Sequence, residues 1–434
     1  MSIVIPSERS ERGICSIANY KKRYIRFLAA LGMTAIAASL PAQTPPPVRP
    51  IGRVERVSSD STTASIASAV SLPGGRVLFN DRVGRRLVLL DSTMTHETIV
   101  ADGTAGTGEA YGPRPGTLIQ YRGDTAMLID QSSLSMFVIS PDGAIARIVA
   151  VPRPDDVSFM IAGTGLDARG RFVYLNTLGG EQGAVMLGVG DAVFQDGKPT
   201  ALARFNVHSE SVALVEIDPT TRVVDTLTPL SYGKLTRKLV TDSKGGLTAI
   251  ETTPDALPLI DKWTVMADGT VAVLRVRDYH FDWLGADGTW TSSPKMPYDW
   301  QHLDDARKQA LIDSSTKRWK GQYDQIMNGG GRGATGLAPL LAMQQALTDL
   351  PDYLPPVTQF PGALQADADG NLWIRTTIMV NGQPVYDVAN RRGELIERIQ
   401  LPPFRTIAGF GPGVVYMAVK GTDGFVHLER ARIK

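Results

Sequence analysis

The densest run of reactive side chains is Arg275-Val276-Arg277-Asp278-Tyr279-His280-Phe281-Asp282-Trp283. Strand alternation puts Tyr279, Phe281 and Trp283 on one face and Asp278, His280 and Asp282 on the other. Two carboxylates flanking an imidazole would orient it as a base or a ligand. In the competing structural reading the aromatics fill a core and His280 bridges strands as a satisfied polar group. The three flat side chains on one face favour that second reading. The remaining histidines, His96, His208, His302 and His427, are scattered, and none belongs to an H-E-x-x-H pattern. The single cysteine, Cys15, excludes both a cysteine-based zinc site and an intrachain disulfide. There is no Gly-x-Ser-x-Gly nucleophile elbow. Gly103–Gly108 lacks the strand–helix context of a dinucleotide site, and Gly329–Gly336 lacks the Lys-Ser/Thr of a phosphate loop. A metal site assembled from distant segments would escape any test of spacing.

The chain has 434 residues, with 45 basic and 44 acidic side chains, a formal charge of +1 and 43% hydrophobic residues. That composition is globular and offers no bulk field for nucleic acid. At the amino end Lys21, Lys22, Arg23 and Arg26 precede the apolar run Phe27–Ala38, and Ala42 follows. The run is too short to span a bilayer but suits a signal peptide over 1–42, cleaved after Ala42 or Ser39. Without that segment the net charge is about −3. The expected product is exported, periplasmic or extracellular, with no integral membrane span after processing. Pro45-Pro46-Pro47 and Pro50 make residues 43–50 a stiff spacer.

From residue 66 onward, short β-rich runs alternate with turns. One turn recurs six times ahead of a β-forming run: Pro73-Gly74-Gly75, Arg122-Gly123-Asp124, Ala168-Arg169-Gly170, Ala267-Asp268-Gly269, Ala368-Asp369-Gly370 and Gly411-Pro412-Gly413. A second turn follows in most copies, as at Pro141-Asp142-Gly143 and Ala286-Asp287-Gly288. Each unit therefore reads as a four-stranded antiparallel meander, and stacking such units radially gives a β-propeller. Gly75-Arg76-Val77-Leu78-Phe79-Asn80-Asp81, then Arg86-Leu87-Val88-Leu89-Leu90-Asp91, resembles an NHL repeat. The likeness is partial around Leu128–Asp130 and only turn-level elsewhere. It implies an NHL-like six-bladed β-propeller of the TolB/NHL type and carries no catalytic residue across.

The fold expected is all-β with six blades, spanning 51–434 and closed by an N-terminal strand near 53–57. The wide spacing between 169 and 268 leaves seven blades as the minor alternative, through the strand pair around 237–251. Residues at about 299–350 read as a helical insertion, because Ile312, Thr316, Trp319, Tyr323 and Ile326 share one helical face. In a propeller, the loops after the second strands gather around the channel mouth. That places Asn80, Asp81, Asp130, Asn176, Arg275 and Arg375 there, with Asp278 and His280 nearby, as candidate ligand-binding residues. Such a mixed polar ring suits a protein, peptide or carbohydrate ligand held by convergent hydrogen bonds. Recognition is favoured over catalysis, with no cofactor expected. The alternative is a lactonase-type hydrolase or lyase with a divalent cation, Ca²⁺ for instance, held by Asp81, Asp130, Asn176 and His280. A third reading gives the helical insertion a docking role in envelope assembly.

Overall fold

The computed structural model describes residues 44–433, except 59–62, 105–110, 115, 177–191, 196–197, 203–210, 234, 242, 244–246, 255–256, 315–316, 318–349 and 361. The segment 1–42 and most of the 299–350 insertion lie outside the described residues. Helical backbone is present over 305–314, and a short helix spans Val157–Ala162. No helix among the described residues is long and apolar enough to cross a membrane.

Six antiparallel sheets of four consecutive strand positions follow one another along the chain. The first blade is Ser68–Leu72, Arg76–Asp81, Arg86–Leu90 and Glu97–Asp102, each strand paired with the next. The inner strands of blades two to six are Thr117–Gln120, Thr164–Leu166, Lys262–Val265, Leu364–Ala366 and Arg405–Gly411. Blade six takes its outer strand from the amino end: Val54–Val57 pairs antiparallel with Val426–Arg432. Just upstream, Val48–Pro50 adds a parallel fifth strand to blade five.

The alternation within a strand explains the stacking. Val77 and Phe79 pack with Ala408, Tyr416 and Leu428 of blade six. Leu78, between them in sequence, packs with Leu118, Leu128 and Phe137 of blade two. Each sheet is thus apolar on both faces, and each face belongs to a different inter-blade core. Further cores join blades two to three, three to four, four to five and five to six, so the ring closes on itself.

That closure removes the seven-bladed alternative. Leu235–Thr241 and Leu247–Pro254 pair only with each other, as a two-stranded hairpin. Val173 and Leu214 of blade three meet Val271 and Val273 of blade four directly, which leaves no gap for a further blade. A second hairpin, Ala192–Gln195 with Lys198–Leu202, is inserted between the second and third strands of blade three.

The recurrent first turns have a common geometry. Their glycines adopt left-handed φ, from 60° at Gly123 to 85° at Gly370. Gly269 could not carry a side chain for a second reason: a Cβ there would lie 2.2 Å from the backbone nitrogen of Ala168 in the neighbouring blade. The aspartate that precedes such a turn caps it. Asp167 accepts from the N–H of Arg169 and Arg171 at 2.9 and 2.7 Å, and Asp367 does the same for Asp369 and Asn371.

A candidate binding site in the central channel

The inner strands of all six blades wall a central cavity of about 1640 Å³. One end is formed by the glycine turns. The other is formed by the segments that lead into the inner strands, including Asp261–Lys262 and the loop that carries Gln359 and Phe360.

Most carboxylates bordering this cavity are occupied by the protein itself. Asp261 accepts from Arg275 Nη1 and the Ser231 N–H, both at 3.0 Å, and from the Val276 N–H. Asp167 pairs with Arg169 and Arg171. Asp367 receives the Trp373 indole N–H at 3.0 Å. Asp268 pairs with Arg391 at 2.6 Å, and Glu55 with Arg432. Asp124 has no such tie among the described residues; it sits at the tip of blade two's glycine turn, at the end away from Lys262.

Lys262 differs from these groups. It begins the inner strand of blade four, is half-buried, and lines the cavity. Its ammonium has no hydrogen-bond or ion-pair partner among the described residues. Burial pushes its pKa down to about 8, opposed by the nearby Asp261 charge. Phe360, 55% exposed, lines the same end of the cavity. The Arg375 guanidinium lies 4.2 Å from its ring centroid, a cation–π contact. Arg375 Nε is buried without a hydrogen-bond partner, and Arg375 has no carboxylate partner among the described residues. The loop is tied to its neighbour by the Gln359 side-chain amide, which donates to Pro258 O at 2.7 Å.

The residues singled out at the strand ends make the following contacts. Buried Asn80 donates to Gly116 O and accepts from the Tyr111 hydroxyl, linking blade one to the segment entering blade two. Asp81 is also buried. It accepts from the N–H groups of Ala64, Ser65 and Gly84 and from the Ser65 hydroxyl, and pairs with Arg86. Asp130 accepts from the N–H groups of Ser132 and Ser133 and from the Ser133 hydroxyl at 2.6 Å. Asn176 ends the second strand of blade three, opposite Ala213. Arg275 binds Asp282, Asp261, Thr228 and Pro229 O. Asp278 is exposed and pairs with Lys295 at 2.5 Å, which lowers its pKa. His280 Nε2 is 3.4 Å from Asp282 Oδ1, while its Nδ1 is buried without a partner. Tyr279, Phe281 and Trp283 all enter the core between blades four and five.

Arg375 and Arg275 are the members of that set in contact with cavity-lining residues, Arg375 through Phe360 and Arg275 through Asp261. Lys262 and Phe360 themselves were not singled out from sequence. The only available signal was a lysine in an apolar inner strand, Asp261-Lys262-Trp263-Thr264-Val265, and a strand's place in the ring is invisible before the blades are assembled. Among the described residues no three His, Cys, Asp or Glu side chains converge as ligands for a cation.

No family model matches the chain. No curated protein matches it either. Solved structures with a similar chain course include the virginiamycin B lyase of Staphylococcus aureus, at 11% identity over 86% of this chain and 97% of that one, with a TM-score of 0.36. A calcium-binding regucalcin of Agrobacterium tumefaciens is 10% identical over 89% and 98%, with a TM-score of 0.38. A luciferin-regenerating enzyme is 11% identical over 87% and 98%, with a TM-score of 0.34. Likeness at this level says nothing about activity. The chain is a six-bladed β-propeller on its own sheet order.

Proposed function

We propose that this protein is an exported recognition propeller that holds a small organic ligand, or the end of a peptide or sugar chain, in the Lys262–Phe360 end of its channel. The supporting observation is the cavity itself: about 1640 Å³, walled by every inner strand and therefore held rigid by all six blades. Most of the bordering carboxylates are already paired, while Lys262 has no partner among the described residues and Phe360 is exposed at the cavity edge. A channel of this kind binds by preformed shape rather than by closure.

The test is a thermal-shift series against amino acids, short peptides and sugars, run on the protein and on Thr264→Trp, which narrows the channel. A ligand at 100 times its dissociation constant adds roughly 2.7 kcal/mol of stability. Stabilisation of the protein but not of Thr264→Trp is expected. Equal stabilisation of both would place the ligand elsewhere and refute the channel reading. Ca²⁺ and EDTA in the same series address the metal-dependent hydrolase or lyase. The expected result is no shift, and a clear Ca²⁺ shift would restore that rival.

A further inference from the structure

We infer that Lys262 and Phe360 form a subsite for an organic carboxylate with a flat, apolar body. This rests on the channel reading and names the class of ligand it accepts.

The charge inventory leads to it. A partly desolvated ammonium is costly unless an anion answers it. Within this fold the cost is generally met. Arg275, at the same end of blade four, has two carboxylates, a hydroxyl and a carbonyl around it. Lys262 pairs with Leu274, the residue before Arg275, so the two cationic side chains leave opposite faces of the same sheet. Yet Asp261, the carboxylate closest in sequence, is spent on Arg275 and two backbone N–H groups. Lys262 therefore lines the cavity with no hydrogen-bond or ion-pair partner among the described residues, its burial only partly offset by the nearby Asp261 charge. A ligand carboxylate there gains a charge-assisted hydrogen bond without breaking an existing ion pair.

Phe360 supplies the second half. Arg375 stacks on its ring and holds it at the cavity edge. The cavity lining also includes Ile260, with Leu175 and Trp263 at the edge of the core between blades three and four, so its apolar share suits a flat hydrocarbon body rather than a hydroxyl-rich one. Arg375 acts here as a positioning residue. Its positive charge also reinforces the preference for an anion, because no carboxylate among the described residues neutralises it.

The probes are 2-naphthoate and 2-naphthamide, which share a ring system and differ in charge, titrated calorimetrically into the protein at pH 7. Naphthoate is expected to bind at least tenfold more tightly than the amide. Lys262→Met should remove that preference, weakening naphthoate far more than the amide. Phe360→Ala should weaken both probes by a similar factor. Naphthoate affinity should also fall as the pH rises past 8, a dependence absent from Lys262→Met. Equal binding of the two probes by the unaltered protein, lost in Thr264→Trp, would overturn the carboxylate inference while leaving the channel reading intact. If neither probe binds, the carboxylate subsite is refuted, and the channel reading is judged separately on the peptide and sugar series.

Discussion

Lys262 and Asp81 show how one polar side chain can be a cost or a support within the same propeller. The folded state disfavours protonated Lys262, whose pKa falls to about 8 from the ordinary lysine value. The penalty is therefore present in full below pH 8 and disappears only as the pH rises through the unfolded-state value. Each tenfold loss of proton affinity is worth about 1.4 kcal/mol, part of which channel water screens. Lys262→Met should then raise stability by roughly 1–2 kcal/mol at neutral pH and by nothing well above pH 10, as denaturant titrations at the two pH values would reveal. Asp81 is the opposite case. Asp81→Ala strands three backbone N–H groups and removes the ion pair with Arg86, and a loss of about 3–4 kcal/mol is expected from the same titrations. A loss under about 1 kcal/mol would mean that water replaces the carboxylate. From sequence alone, Asn80, Asp81 and Asp130 look like ligand donors, because strand ends at a channel mouth are polar in either role. Only hydrogen-bond geometry separates a carboxylate aimed at backbone N–H groups from one aimed at a ligand.

The blade is the element most legible in the sequence, because its signal is local. A turn glycine at positive φ followed by an alternating apolar run specifies a hairpin without knowledge of its neighbours. The aromatic run around His280 was legible for the same reason, since alternation alone sends Phe281 and Trp283 into the core. Links between elements were not legible. Tyr279, itself at φ 50°, crosses from blade four to donate its hydroxyl to Asp387 of blade five at 2.6 Å. Arg398 Nε approaches the other carboxylate oxygen at 3.1 Å. Burial raises the Asp387 pKa and drives that of Tyr279 well above its ordinary value. Tyr279→Phe leaves a buried carboxylate one donor short, and a cost of about 2 kcal/mol is expected in chemical denaturation. No local pattern announces a bond between residues 108 positions apart. The terminal strand makes a similar long-range pairing. Removing residues 44–58 unpairs the outer edge of blade six and takes buried Ile51 from its core. The expected cost is roughly 4 kcal/mol, visible as a lowered midpoint in calorimetry. An unchanged midpoint would show that the ring holds without this strand.

At the scale of the whole molecule, six inter-blade cores fix six inner strands around one cavity, and the proposed function rests on what those strands leave unpaired. Six blades were countable from turns, but the cavity's charge balance was not, because it depends on which carboxylates the assembled ring consumes. The most direct measurement is a crystal structure of the protein grown with 2-naphthoate. The account predicts the naphthyl ring against Phe360 and a carboxylate oxygen within hydrogen-bond distance of Lys262 Nζ. A ligand seated on the outer surface of the ring, or a channel holding only water at saturating naphthoate, would contradict it.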